Sequence, residues 1–272
     1  MWSHPATLAA VGFAVGLMGS LVGVGGGFFL VPFFISRLGF DHPLAVGTSL
    51  GVVVANASSG TIGYARQKRV DWAVGLVLGL ATLPGTVLGK FVATRIAAAP
   101  FSVAFGAVTA LAALLLVSVR SENRPGLAWF RSGMKRRIVD AKGEAHEYGI
   151  NIVVAALLSV VIGFASSLFG VGGGFIHVPL LVLLFGVPLH IAVATSAFAL
   201  LLTSAGGAAQ YAVERPPLVD PRVLLWAGLG AFLGAQLGAR AAERLKPGVL
   251  RLVLAVVLVG VGGWMIYHGV KA

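Results

Sequence analysis

The chain has 272 residues, 58% of them hydrophobic and 11% charged, with no cysteine and a formal net charge of +11. That charged share is under half of the ~25% usual in soluble domains, which excludes an ordinary soluble enzyme or nucleic-acid binder. The lack of cysteine excludes a disulfide scaffold, a thiolate metal site and a cysteine nucleophile. The positive balance is a topology signal, because Lys and Arg cluster in a few loops, as membrane insertion favours on the cytoplasmic side. No nucleic-acid partner is expected.

The N-terminus, Met1 to Pro5, lacks the basic region of a signal peptide and reads as retained. An apolar segment over 5–36 follows, interrupted midway by Gly23-Val24-Gly25-Gly26-Gly27-Phe28 and then Val31-Pro32. Three cleaner spans come next, at 43–65, 72–94 and 101–119. Each has about the 20 residues needed to cross a bilayer core as helix. The stretch 120–148 is polar and carries Arg120, Arg124, Arg131, Lys135, Arg136, Arg137 and Lys142. A second interrupted segment covers 149–185, with Gly170-Val171-Gly172-Gly173-Gly174-Phe175 and Val178-Pro179, and spans follow at 190–212, 222–242 and 248–268. The acids all fall near span ends or in loops. The expected fold is an all-α polytopic membrane protein with about eight membrane segments. It divides into a first repeat over 1–119, a basic cytoplasmic connector over 120–148 and a second repeat over 149–272.

The halves are copies. From 23 to 64, fifteen of 42 positions are identical at an offset of 147, including Gly39/Gly186, Thr48-Ser49/Thr195-Ser196 and Tyr64/Tyr211. Past Pro216-Pro217 the offset is 149, which pairs Asp71 with Asp220, Gly85 with Gly234 and Gly89 with Gly238. If each interrupted segment enters and returns, each half crosses three times and the halves are inverted. The loops 66–69, 120–142 and 240–251 then share one face with fourteen of the twenty Lys and Arg residues. A single crossing makes the halves parallel, with a best split of thirteen to seven. The positive-inside rule favours inversion by that margin, with both termini outside.

A glycine-rich break at membrane depth requires partners for its backbone groups, since each unpaired amide costs several kcal/mol in hydrocarbon. The short helix after each break aims free N–H groups and a partial positive charge back at it, which suits an anion. Two matched breaks form the pattern of a midplane transporter site. Gly75-x-x-x-Gly79, Gly85-x-x-x-Gly89 and Gly230-x-x-x-Gly234-x-x-x-Gly238 read instead as helix-contact seams. The breaks lack the third glycine of a dinucleotide loop and the Lys-Ser/Thr of a P-loop.

Two GVGGGF-x-x-VP units, each trailed by a Thr-Ser pair, resemble the sulfite/sulfonate exporter family (TauE/SafE, or sulfonate uptake permease) over essentially the whole chain. The resemblance implies a bacterial inner-membrane protein moving sulfite, thiosulfate or organosulfonates. The residues themselves support an anion-sized site with many donors. Its candidates are Gly25, Gly26, Gly27, Phe28, Gly172, Gly173, Gly174 and Phe175 at the breaks, the hydroxyls of Thr48, Ser49, Thr195 and Ser196, and Asn56 with its counterpart Thr203. His177, opposite Leu30, is the one histidine well inside an apolar segment and the candidate for coupling. No mid-helix carboxylate offers a proton relay, so coupling would use H+ at His177, Na+ held by carbonyls and hydroxyls, or neither. Tyr64 and Tyr211 read as interfacial anchors. No cofactor or metal is expected, and no enzyme signature such as HExxH or paired acids occurs. A homodimer is compatible with this reading. The rival functions are a passive anion channel, a transporter of non-sulfur carboxylates, and a subunit that docks a soluble enzyme through 120–148.

Overall fold

A computed structural model describes residues 4–23, 25–118, 128–244 and 247–271. Each interrupted segment is a helix pair. In the first half α1 (Pro5–Val22) and α2 (Gly27–Leu38) flank the break, and in the second half α7 (Ile152–Phe169) and α8 (Gly174–Leu183) do so. The clean spans are α3 (His42–Arg66), α4 (Trp72–Ala93) and α5 (Ala98–Ser118), then α9 (Leu189–Ala212), α10 (Pro221–Arg244) and α11 (Pro247–Lys271). Helices α3, α4, α7, α9 and α10 are long and apolar enough to cross a membrane. The connector places Arg120 and Arg124 outside the described residues, and adds a short helix α6 (Ala128–Arg131).

The connector also departs from the all-α expectation. Strands β1 (Met134–Val139) and β2 (Ala145–Ile150) pair antiparallel, with Arg136 opposite Tyr148 and Arg137 opposite Glu147. The charge of Lys135, Arg136 and Arg137 masks a period-two alternation that turns Arg136 and Ile138 inward. The hairpin rests on the loop joining α3 to α4: the Ala141 amide donates to the Gln67 carbonyl and Arg69 pairs with Asp140 at 3.2 Å.

The glycine seams set the helix pairing, and the pairs join opposite halves. A Cβ added at Gly230, Gly234 or Gly238 of α10 would strike the backbone of Ala9, Phe13 or Leu17 of α1. At Gly85 and Gly89 of α4 it would strike Val160 and Phe164 of α7. Numbers rise together in both pairs, so the partners run the same way. The same holds for α3 beside α10, where Gly51, Ser59 and Gly63 meet Leu224, Phe232 and Ala239. It holds again for α9 beside α4, where Thr195, Leu202 and Thr203 meet Gly75, Gly79 and Thr82. Glycine here removes the side chain that would keep two helix backbones apart, so dispersion and close approach replace the missing hydrophobic drive of water. The faces turned away from these seams are greasy. On α7, Val153, Leu157 and Val161 recur every four residues, each more than 60% exposed, as a lipid-facing stripe.

Candidate functional site

The two breaks share their first turns and differ at one glycine, Gly26 being left-handed at φ 79° where Gly173 is right-handed at φ −69°. Gly23 and Gly170 end α1 and α7 in the left-handed conformation, and Gly25 and Gly172 again take positive φ, 84° and 74°. A side chain at those two positions would be strained, which is why glycine recurs there. Pro32 lies inside α2 and Pro179 inside α8. Proline has no N–H, so the carbonyls of Phe28 and Phe175 lose their usual helical donor one turn from the break. Among the described residues, no protein acceptor is found for the amides of Gly172, Gly173 and Gly174.

Side chains from the following helix of each half hold the breaks. The Ser49 hydroxyl donates to the Gly170 carbonyl at 2.7 Å, across to the other half, with the Gly27 carbonyl at 3.5 Å. Ser196 bonds back to the Val193 carbonyl of its own helix at 3.0 Å and lies 3.4 Å from the Gly23 carbonyl, a weaker counterpart of the Ser49 contact. Asn56 Nδ2 donates to the Gly25 carbonyl at 2.6 Å. These three candidates therefore meet the breaks through carbonyls. Phe28 is buried beside them; the side chain of Phe175 lies outside the described residues.

Thr48, Thr195 and Thr203 do other work. Thr48 Oγ1 accepts the Asp220 amide at 2.9 Å, and Thr195 Oγ1 accepts the Asp71 amide at 3.0 Å. Each threonine thus anchors the start of the second clean span of the opposite half, α10 or α4, where Asp220 or Asp71 accepts from the Val223 or Val74 amide as N-cap. Thr203 bonds Thr82 at 2.8 Å and ties α9 to α4. The tyrosines are not interfacial anchors. Tyr64 is 2% and Tyr211 0% exposed, and their hydroxyls donate to the carbonyls of Ser20 and Ser167 just before the breaks. A buried phenol needs an acceptor, and the carbonyls at the helix ends that precede each break have a lone pair to spare.

His177 sits over the second break. Its Nε2 lies 3.1 Å from Ser159 Oγ, which donates its own proton to the Ala155 carbonyl at 2.8 Å. In the tautomer that donates from Nε2 to Ser159, Nδ1 is left as an acceptor. Nδ1 is buried without a partner and lies 3.1 Å from where a Gly173 Cβ would stand. Ser20, Ser166 and Ser167 also carry buried hydroxyls without a hydrogen-bond partner, all within a turn of a break. Sequence reading passed over these serines, although Ser20 and Ser167 stand at the offset of 147.

On the connector face, Asp71 is fully buried and accepts from both Arg136 Nε and Nη2, at 2.7 and 2.8 Å, and from the Tyr148 hydroxyl at 2.7 Å. Burial pushes the Asp71 carboxyl up, but Arg136, Tyr148 and the Val74 amide outweigh it and hold the group below the usual carboxylate range. Burial and the bond to Asp71 push the Tyr148 phenol up. Asp140, Glu144 and His146 cluster at the hairpin turn within reach of one cation. Asp140, however, is already committed to Arg69 and to the amides of Lys142 and Glu144.

Paired breaks at the centre of a helical bundle, held by polar side chains and walled by lipid-facing residues, define a multi-pass membrane transporter. The chain belongs to the sulfite exporter TauE/SafE family, which it matches over residues 8–265. It is 32% identical over 270 residues to the probable membrane transporter protein YunE of Bacillus subtilis, covering 97% of each chain. It is 28% identical over 272 residues to a probable membrane transporter protein of Methanocaldococcus jannaschii, covering 95% of this chain and 94% of that one. No solved structure matches it.

Proposed function

We propose that the protein is a secondary transporter of small sulfur-containing anions such as sulfite, thiosulfate or short organosulfonates in a bacterial inner membrane. The anion binds between the two breaks on amides of Gly26, Gly27, Gly172, Gly173 and Gly174; the Gly25 amide, the sixth candidate, is taken by the Gly19 carbonyl at 3.2 Å. The observation that carries this reading is the set of unpaired Gly172–Gly174 amides beside unpaired buried groups of Ser166, Ser167 and His177. Natural interiors rarely leave such groups unpaired without a reason, and an oxyanion satisfies several donors at once.

The halves are inverted, with α1–α2 and α7–α8 each entering and returning. Support comes from helix direction. The hairpin fixes the ends of α3 and α4 that join at 67–71 on one face, and α7 starts there because it runs with α4. Helix α1 starts on the other face, because it runs with α10 and α10 with α3. The connector face, with loops 66–69 and 240–251, is cytoplasmic by its basic charge. His177 Nδ1 takes up a proton beside the bound anion and couples the two.

The test is uptake of sulfite and thiosulfate into liposomes holding the purified protein. Gly26→Leu and Gly173→Leu are expected to abolish it; because their Cβ atoms would press on Val15 and Ile162, each variant counts only if it elutes as a single folded peak. His177→Leu, which installs the residue of the other half, should keep transport but lose its response to a proton gradient. Normal transport by both glycine variants would remove the site. Transport without counterflow would make the protein a passive anion channel.

A further inference from the structure

The glycine breaks converge on the same two apolar side chains. A Cβ added at Gly25 would lie 2.6 Å from Leu200 Cδ2 and 3.0 Å from Val53 Cγ1. One added at Gly172 would also lie 3.0 Å from Val53 Cγ1, and closer still to Leu200 Cδ1. Leu200 therefore puts one methyl group against each break, and Val53 puts a single methyl against both. Leu200 is 1% and Val53 0% exposed, and the two stand at the repeat offset of 147, one on α3 and one on α9. Not even a methyl group fits between these side chains and either break.

We propose that Val53 and Leu200 form the plug of the transport path and set the largest anion that passes. The inference rests on the site proposed above and deepens it. A buried amide facing hydrocarbon is costly. Leu200 and Val53 lie against Gly172, the first of three residues whose amides have no protein acceptor among the described residues, while Ser166, Ser167 and His177 also hold unpaired polar groups. An anion that reaches those amides displaces the two side chains and occupies the volume they leave. Displacing a leucine and a valine gives up dispersion contacts but breaks no hydrogen bond. The pair is unequal. Leucine carries the extra carbon that lets it touch both breaks with separate methyls, so Leu200 controls the cut-off more than Val53.

The experiment compares sulfite with bulkier benzenesulfonate in liposomes. Wild type is expected to move sulfite and bar benzenesulfonate. Leu200→Ala should raise the ratio of benzenesulfonate to sulfite at least about tenfold, the effect of a methylene or more in an apolar pocket. Val53→Ala should raise it less, and Leu200→Met, which conserves volume, should leave it unchanged. A Leu200→Ala protein that is folded, moves sulfite and keeps the wild-type cut-off overturns the plug. A second readout needs no transport. The chain has no cysteine, so Leu200→Cys gives a unique thiol. A charged methanethiosulfonate reagent should modify it at least about a hundredfold more slowly than Glu144→Cys on the exposed hairpin turn, because a shielded thiol reacts only on opening. Equal rates overturn the plug even if sulfite is not the substrate. Failure of wild type to move any sulfur anion, with the thiol still protected, overturns the substrate reading alone.

Discussion

At the scale of single residues, the site is held by polar side chains that donate to backbone carbonyls. Asn56 is the clearest case: it is 1% exposed and its amide donates to the Gly25 carbonyl at 2.6 Å. Asn56→Ala leaves that carbonyl without its donor in a place water cannot reach, at a cost of about 1–3 kcal/mol. The expected outcome is a lower apparent Tm of the purified protein, whereas Ser58→Ala changes little, since Ser58 only bonds back to the Val54 carbonyl of its own helix. An unchanged Tm in Asn56→Ala would remove this account of the first break. Residue type and register exposed Asn56, Ser49 and Ser196 in the sequence, because polar groups stand out among Val, Leu and Ala. The same contrast hid Val53 and Leu200, which look like any other apolar residue until both breaks are seen to meet on them.

At the scale of elements, the hairpin binds the connector to the membrane body through one buried carboxylate. Arg136→Ala removes the bidentate partner of Asp71 and leaves a buried charge, which costs about 3 kcal/mol. We expect the hairpin to detach, read as faster proteolysis within 134–150, while the helices stay folded. The pH dependence has a definite sign. Asp71 in the folded protein titrates below its unfolded value, near 3.9 for an aspartate. Its contribution is therefore fully present above about pH 4 and is lost only as pH falls through the lowered native value. Wild-type protection of 134–150 should hold at pH 5 and fail in stronger acid; loss already near pH 6 would contradict the Asp71 clamp. The spans and breaks were legible because twenty apolar residues and a glycine triplet are long, uniform signals. The hairpin was not, because its inward alternation rests on Arg136 and Ile138 alone, within a run that reads as a charged loop.

At the scale of the whole molecule, the repeat was visible from identities at fixed offset, but the interleaving of the halves was not. Helix α1 lies against α10, α4 against α7, and Thr48 and Thr195 each anchor a helix of the other half. Offsets report which residues correspond; they carry no information on which surfaces touch. The interleaving predicts that residues 1–119 expressed alone are degraded or aggregate, and that co-expression with 120–272 restores a folded complex, seen as co-purification and a single chromatographic peak. A stable, monodisperse first half would contradict it.

The glycine seam of α1 also has a consequence for synthesis. Gly12 meets Ala227, 215 residues later in the chain (227 − 12). At about 5–20 residues per second, translation makes α1 wait roughly 10–40 s for its partner. Helix α1 carries no charged residue and is apolar around its whole circumference, so bilayer lipid can stand in for α10 during that interval. The nascent chain is thus built to tolerate a delay that its own topology imposes.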